Sequence, residues 1–345
     1  MPVPGMITGK QSFGGRANSF GSVDGFPREV HLPLARYRFR FKGSGAEHPQ
    51  GYLGSAWRGA FGRALRNIVC VTHLDACSPC LLYRSCPYPY IFETPPAPGA
   101  QKMRKYTAAP HPFLLEAPAE SEKADAHHVG LTLIGRGNAY LAYCIHAFER
   151  AGQQGLGRGR ARLLLEGVWQ AGTAEADAWE LIYRPGETLN ARPPGVPSVP
   201  PAPAWARLRF VTPLRLQRDG LLVRPEMFRF SDLFSALLRR ISMLTYFHTE
   251  AQHETGFAEL VKQAHQIECA VVDLSWKDWT RYSSRQKTTM QMGGLVGAVA
   301  APLEGASPLW PYLWLGQWVH AGKGTSMGLG QYRIETASLP KMKSA

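Results

Sequence analysis

His320-Ala-Gly-Lys-Gly-Thr-Ser-Met-Gly-Leu-Gly-Gln-Tyr332 sets glycines at 322, 324, 328 and 330 between an apolar helix candidate, Leu309 to Val319, and a strand candidate, Gln331 to Thr336. Glycine accepts positive φ and lets a second backbone come close. Such a run is either a tight helix-to-strand turn or a cradle of free amides facing phosphates, with Lys323 adding charge. It is not a nucleoside-triphosphate loop. Gly324 follows Lys323 where Ser or Thr is required, and the order is helix, loop, strand instead of strand, loop, helix.

The same order occurs upstream. Gly152, Gly155, Gly157 and Gly159 follow a helix candidate, Asn138 to Ala151, and precede a strand candidate, Arg160 to Trp169. Working outward, Val30 to Lys42 alternates as a strand with Arg36, Arg38 and Arg40 on one face. Ser55 to Val69 reads as a helix with Trp57, Phe61, Ala64, Leu65 and Ile68 inward and Arg58, Arg63 and Arg66 outward. Thr94 to Asp125 reads as a loop, and His127 to Ile134 as a strand. The second half repeats the plan: strand Ala206 to Leu216, a helix capped by Ser231, a helix over Glu254 to His265, strands Ile267 to Leu274 and Gly294 to Ala301, then the closing helix, loop and strand.

Two tandem βαββαβ units fit this order. The expected class is therefore α+β, with two ferredoxin-like (RRM-like) domains and a small cysteine-containing insertion in the first. The expected divisions are a flexible tail over 1–28, a first domain over 29–184, a Pro-rich linker over 185–204 and a second domain over 205–345.

Lys plus Arg outnumber Asp plus Glu by 39 to 26 in 345 residues, a formal charge of +13. That surplus favours a polyanionic partner, and the dominance of Arg over Lys suits phosphate forks and base stacking. No run of about 18 apolar residues argues for a membrane span, and the N-terminus lacks an apolar signal core, so a cytoplasmic protein is expected. Arg281, Tyr282, Arg285 and Lys287 mix cations with an aromatic, as backbone contact with base stacking requires. Arg239 and Arg240 sit on the polar side of the Ser231 helix and could grip a stem.

Cys70, Cys77, Cys80 and Cys86 are separated by six, two and five residues. A Cys-x-x-Cys pair with two flanking thiols can close a tetrahedral zinc site that braces a segment too small for its own core. His73 could replace Cys70. Buried free thiols and a redox or iron–sulfur role are the alternatives.

The glycine loop resembles the C-terminal motif of the RAMP superfamily of CRISPR-associated RNA-binding proteins. Trp279-Thr-Arg-Tyr-Ser-Ser-Arg-Gln-Lys287 with Met292-Gly-Gly-Leu-Val-Gly297, and Phe210-Val-Thr-Pro-Leu-Arg-Leu216, resemble the C-terminal region of the precursor-crRNA processing endoribonucleases. Gly54-Ser-Ala-Trp-Arg-Gly-Ala-Phe-Gly62 and the segment from Cys77 to Glu93 are similar to the same family. The resemblance implies cleavage within CRISPR repeats, without metal, by attack of the 2′-hydroxyl on the neighbouring phosphate to leave a cyclic phosphate and a 5′-hydroxyl. It also implies a repeat-hairpin ligand and partners among the effector-complex subunits.

Such chemistry needs a base, an acid and cations for the phosphorane charge. His48, between the first strand and first helix, is the leading base, with Tyr37 as partner and Arg58 as charge stabiliser; His320 and His31 stand behind it. Arg63, Arg66, Arg239, Arg240, Arg281, Tyr282, Arg285, Lys287 and the loop residues Gly322, Lys323, Gly324, Gly328 and Gly330 are expected to hold RNA. No cofactor is expected for catalysis; a structural zinc on the cysteines is possible. A non-catalytic RNA-binding RAMP subunit and a zinc-stabilised DNA-binding protein are the rival readings.

Overall fold

The computed structural model describes residues 30–43, 52–100, 108–117, 126–157, 159–172, 178–250, 256–278, 280–283 and 288–336. The expected tail, His48, Arg285 and Lys287 lie outside them.

Alternation writes the first strand, β1 (Leu34–Gly43): Tyr37, Phe39 and Phe41 are buried while Arg38 and Arg40 are exposed. The first helix, α1 (Leu53–Val69), presents Leu53, Trp57, Ala60, Phe61, Ala64 and Leu65 at helical spacing. The second, α2 (Leu141–Gln154), adds Ile145 and Phe148. Phe148 touches Phe39 (ring centroids 4.5 Å) and Phe61 (4.5 Å), and Trp57 touches Phe41 (4.9 Å), so both helices cover the same face of the sheet. The remaining strands are β2 (Phe113–Glu116), β3 (Ala126–Ile134), β4 (Leu163–Ala171) and β5 (Trp179–Tyr183). Their antiparallel order, β2-β3-β1-β4-β5, is the ferredoxin order with one strand added at the edge.

The second domain repeats it. Its strands are β6 (Trp205–Leu214), the short pair β7 (Gln217–Arg218) and β8 (Leu221–Leu222), β9 (Val271–Lys277), the hairpin β10 (Thr280–Ser283) and β11 (Thr288–Gln291), β12 (Gly294–Pro302) and β13 (Tyr332–Thr336). Its helices are α3 (Phe230–His248), α4 (Phe257–His265) and α5 (Trp310–Val319). The main sheet runs β13-β6-β12-β9, again the ferredoxin order, under α3 and α5.

Four readings need correction. Thr94 to Asp125 is not all loop, because it contains β2. β5 and the β10–β11 hairpin were not anticipated, since each strand is only four or five residues long. Ser231 does not cap α3: the helix begins one residue earlier, on Phe230, and no side chain caps it. Asp232 in the first turn is instead held by Arg218, whose Nε lies 3.1 Å away.

The Pro-rich stretch is strapped down. Trp310 and Trp314 donate their indole N–H groups to Pro200 and Ser198 carbonyls at 2.6 and 2.8 Å. Gln170 exchanges two hydrogen bonds with the Arg192 backbone, and Gly195 bridges Leu34. Among the described residues no helix is long and apolar enough to cross a membrane. Phe148 is fully buried at the meeting of sheet and both helices. Phe148→Ala should therefore cost about 3–5 kcal/mol of N-terminal-domain stability in urea unfolding.

Candidate nucleic-acid interface

The glycine loop is built by positive φ at Gly322, Gly324, Gly328 and Gly330 (73°, 80°, 91° and 71°). A Cβ at Gly330 would overlap the Ala321 carbonyl, and one at Gly322 the Arg215 carbonyl. The loop's amides are largely committed to protein. Lys323 N donates to Arg215 O (3.0 Å), Gly330 N to Pro213 O (3.0 Å), and Met327 N and Gly328 N to Gly324 O and Thr325 O (both 2.9 Å). An outward-facing amide cradle is thus not what these glycines make; the exposed Lys323 side chain is what the loop offers to a phosphate. The upstream echo is likewise a tight turn, closed by the Leu156–Ala161 bridge.

The loop docks the second domain onto the first. Tyr52 donates its hydroxyl to Met327 O, and Arg58 Nε donates to Ser326 Oγ at 3.0 Å. Gly54 lies against the Met327 carbonyl, and Gly328 against that of Leu115. Arg58, expected to stabilise a transition state, is thus a bridge between domains.

Three histidines lie at this junction. Arg58 Nη2 donates to His111 Nε2 (3.1 Å), so the ring carries its proton on Nδ1, facing Thr94 Oγ1 at 3.0 Å. Burial and then Arg58 hold His111 at about 3. His248 Nε2 faces the Pro110 carbonyl (2.7 Å) and must donate, leaving Nδ1 to accept from Tyr90 (3.1 Å). Burial pulls its pKa to about 4. His320 is fully buried, with Nδ1 at 3.3 Å from Leu329 O and Nε2 at 3.8 Å from Glu116. Burial raises the Glu116 carboxyl, but His320 and Arg36 outweigh it and hold it at about 2.

Above the junction a cleft of about 250 Å³ opens between the sheets. Arg36, Arg38, His128 and Trp179 line it from the first domain, Thr212 and Gln331 from the second, with Glu116 at its base. Arg38 stacks on Trp179 with its guanidinium 4.1 Å from the ring centroid, and Arg36 lies 5.4 Å from the same ring. Cation and aromatic are thus interleaved on a sheet face, an arrangement suited to unpaired bases and their phosphates.

The other expected residues divide. Arg63, Arg239 and His31 are exposed. Arg66 is spent on the Leu74 and Asp75 carbonyls (2.5 and 2.8 Å). Arg240 donates Nε to Val319 O at 2.6 Å, and burial lowers it to about 10, so it ties α3 to the end of α5 instead of gripping a stem. Tyr37 is in the core, its hydroxyl on Asn138 at 3.0 Å and its pKa raised by burial; it cannot partner a solvent-facing base. Arg281 and Tyr282 lie on β10, paired with Met290 and Thr289. Sequence reasoning placed Arg36 and Arg38 on a strand face without assigning them to the site, and missed Trp179 because β5 was missed. Its signal was the short Trp-Glu-Leu-Ile-Tyr run.

Residues 208–332 match the family model described as CRISPR-associated endoribonuclease Cas6, and residues 32–194 match one described as an N-terminal domain. Residues 208–332 are thus a domain of the Cas6 family. A solved Cas6 product complex shares its fold at 18% identity and TM-score 0.55, covering 88% of this chain and 99% of that one. Thermus thermophilus Cas6 does so at 16% and 0.50, with the same coverage. No curated protein matches the sequence. Loop, junction and cleft all lie along the seam of the two domains, and Gln331, which follows the loop, lines the cleft.

His111 and His248 are both held below their ordinary 6.5. Below that pH the unfolded chain binds two protons that the folded chain refuses. Their contribution is complete above 6.5 and is lost as the pH falls toward about 4, at up to about 1.4 kcal/mol per pH unit for each ring. Melting temperature should be flat from pH 8 to 7 and fall below 6.5, and His248→Gln should flatten the fall.

Proposed function

We propose that this protein cleaves CRISPR precursor RNA within its repeats and stays bound to the crRNA hairpin, delivering it to an effector complex. The observation that carries the reading is the Cas6 match over 208–332, which includes Thr212 and Gln331 of the cleft wall and the glycine loop at the domain seam. The reaction proposed is metal-independent. A base removes the proton of the 2′-hydroxyl next to the scissile phosphate, and that oxygen displaces the 5′-oxygen of the following nucleotide. A 2′,3′-cyclic phosphate and a 5′-hydroxyl result.

The committed nitrogens of His111 and His248, and the complete burial of His320, argue against each as the base. His48, in the connection between Gly43 and Tyr52, remains the first candidate, and His128 on the cleft wall is the second. Arg36, Arg38 and Lys323 supply positive charge for the RNA backbone, and Trp179 a platform for a base.

Single-turnover cleavage of the repeat RNA from the same locus tests this. Cleavage should survive EDTA, and a 2′-deoxy substitution at the scissile nucleotide should abolish it without loss of binding. His48→Ala should slow it about 10²–10⁴-fold, the usual worth of a general base. Wild-type rates in His48→Ala with loss in His128→Ala would move the base to the sheet. Binding with no cleavage by the wild-type chain would favour a guide-holding subunit instead. Trp179→Ala should weaken RNA binding by about 1–3 kcal/mol, the worth of one stacked base.

A further inference from the structure

We infer that Cys70, Cys77, Cys80 and Cys86 bind one zinc ion, which fixes the end of α1 and the chain that follows it. All four cysteines line a single small cavity of about 20 Å³. That is space for one water-sized occupant. His73, the alternative fourth ligand, is exposed and does not line it.

A second observation points the same way. No residue from Cys70 to Tyr88 is buried, and none belongs to a strand. Val71, Leu74 and Leu81 are even turned outward, at 71%, 44% and 86% exposure. A segment of this size without a core cannot hold one conformation by apolar burial, and a metal or a cross-link is the usual substitute. Yet its turns are defined: Cys80 N donates to Cys77 O (2.9 Å), Tyr83 N to Cys80 O (2.9 Å) and Cys86 N to Leu82 O (2.8 Å). All four cysteines are free thiols rather than disulfide-bonded, and four sulfurs make a closed tetrahedral zinc site. Among the described residues, no three His, Cys, Asp or Glu groups stand close enough to hold an ion as they are. Binding must therefore draw the thiols inward across the cavity they share, each releasing its proton to solvent as its sulfur takes the metal.

The site would tie together two parts of the domain. Cys70 closes α1, its amide donating to Arg66 O at 2.9 Å. Cys86 leads into Tyr88 and Phe92, stacked at 5.5 Å, and Phe92 packs on Phe61 of α1 at 5.1 Å. Beyond them the chain reaches Thr94 and its hydrogen bond to His111. Zinc would thus set the route by which the chain leaves α1 and returns to the domain junction.

The test is metal analysis and thiol titration on the full chain purified without added metal or chelator, with thiols titrated in denaturant without reductant. The expected result is about one zinc per chain and all thiols reactive after denaturation. Cys77→Ser with Cys80→Ser should lose the zinc, while Cys269→Ser should keep it. Should the double variant fail to fold, cobalt exchanged into the wild-type protein should give the spectrum of a tetrathiolate site. Zinc below about half an equivalent overturns the inference, whether the thiols prove free or paired as disulfide, as does iron in its place or a cobalt spectrum with fewer than four sulfurs.

Discussion

Everything at the seam depends on one close approach of two backbones. The Met327 carbonyl sits against Gly54 at the start of α1, near enough to accept the Tyr52 hydroxyl, and a side chain at Gly54 would collide with it. Gly328 makes the same kind of contact with Leu115 on β2. Interiors are close-packed and transmit such constraints with little give. The glycines are thus required by backbone meeting backbone across the two domains, and Arg58 can reach Ser326 only because the gap is this narrow.

That contact explains the charge pattern beneath it. Arg58, Arg136 and Arg240 gather at the seam: Arg58 and Arg136 hydrogen-bond Ser326 and Phe247 across it, and Arg240 bonds Val319 within the second domain. Histidines buried beside guanidinium groups are costly to protonate, so His111 and His248 stay neutral and serve as acceptors. Glu116 is the compensating anion, its carboxylate kept by Arg36 and His320. Arg36 also lines the cleft, so the charge that holds Glu116 is continuous with the charge the cleft presents.

How much of this was legible follows from what each signal measures. Alternation in β1 and the 3.6-residue stripe of α1 report burial directly, and both survive in the structure with shifts of a few residues at their ends. The repeated element order was enough for two ferredoxin-like sheets. Trp179 was hidden because a five-residue edge strand carries too little period, and His111 because its neighbourhood is irregular until β2 pairs with β3. The glycine loop misled for a specific reason. Positive φ turns amides toward an acceptor, and sequence does not say whether that acceptor is a phosphate oxygen or a carbonyl such as those of Arg215 and Pro213.

The same bookkeeping narrows where chemistry can occur. A general base needs a ring nitrogen open to substrate and a pKa near the working pH. His111 offers Nε2 only to Arg58, and His248 has both nitrogens committed. Freeing His248 would break bonds that hold the domains together, freeing His111 would break one inside the first domain, and either would leave a base depressed to about 3 or 4. A surface that spends its histidines on cohesion must take its catalyst from segments that the seam does not use. The His128 wall of the cleft meets that condition and borders the strand that carries Arg36 and Arg38, the strand that His48 follows in the sequence.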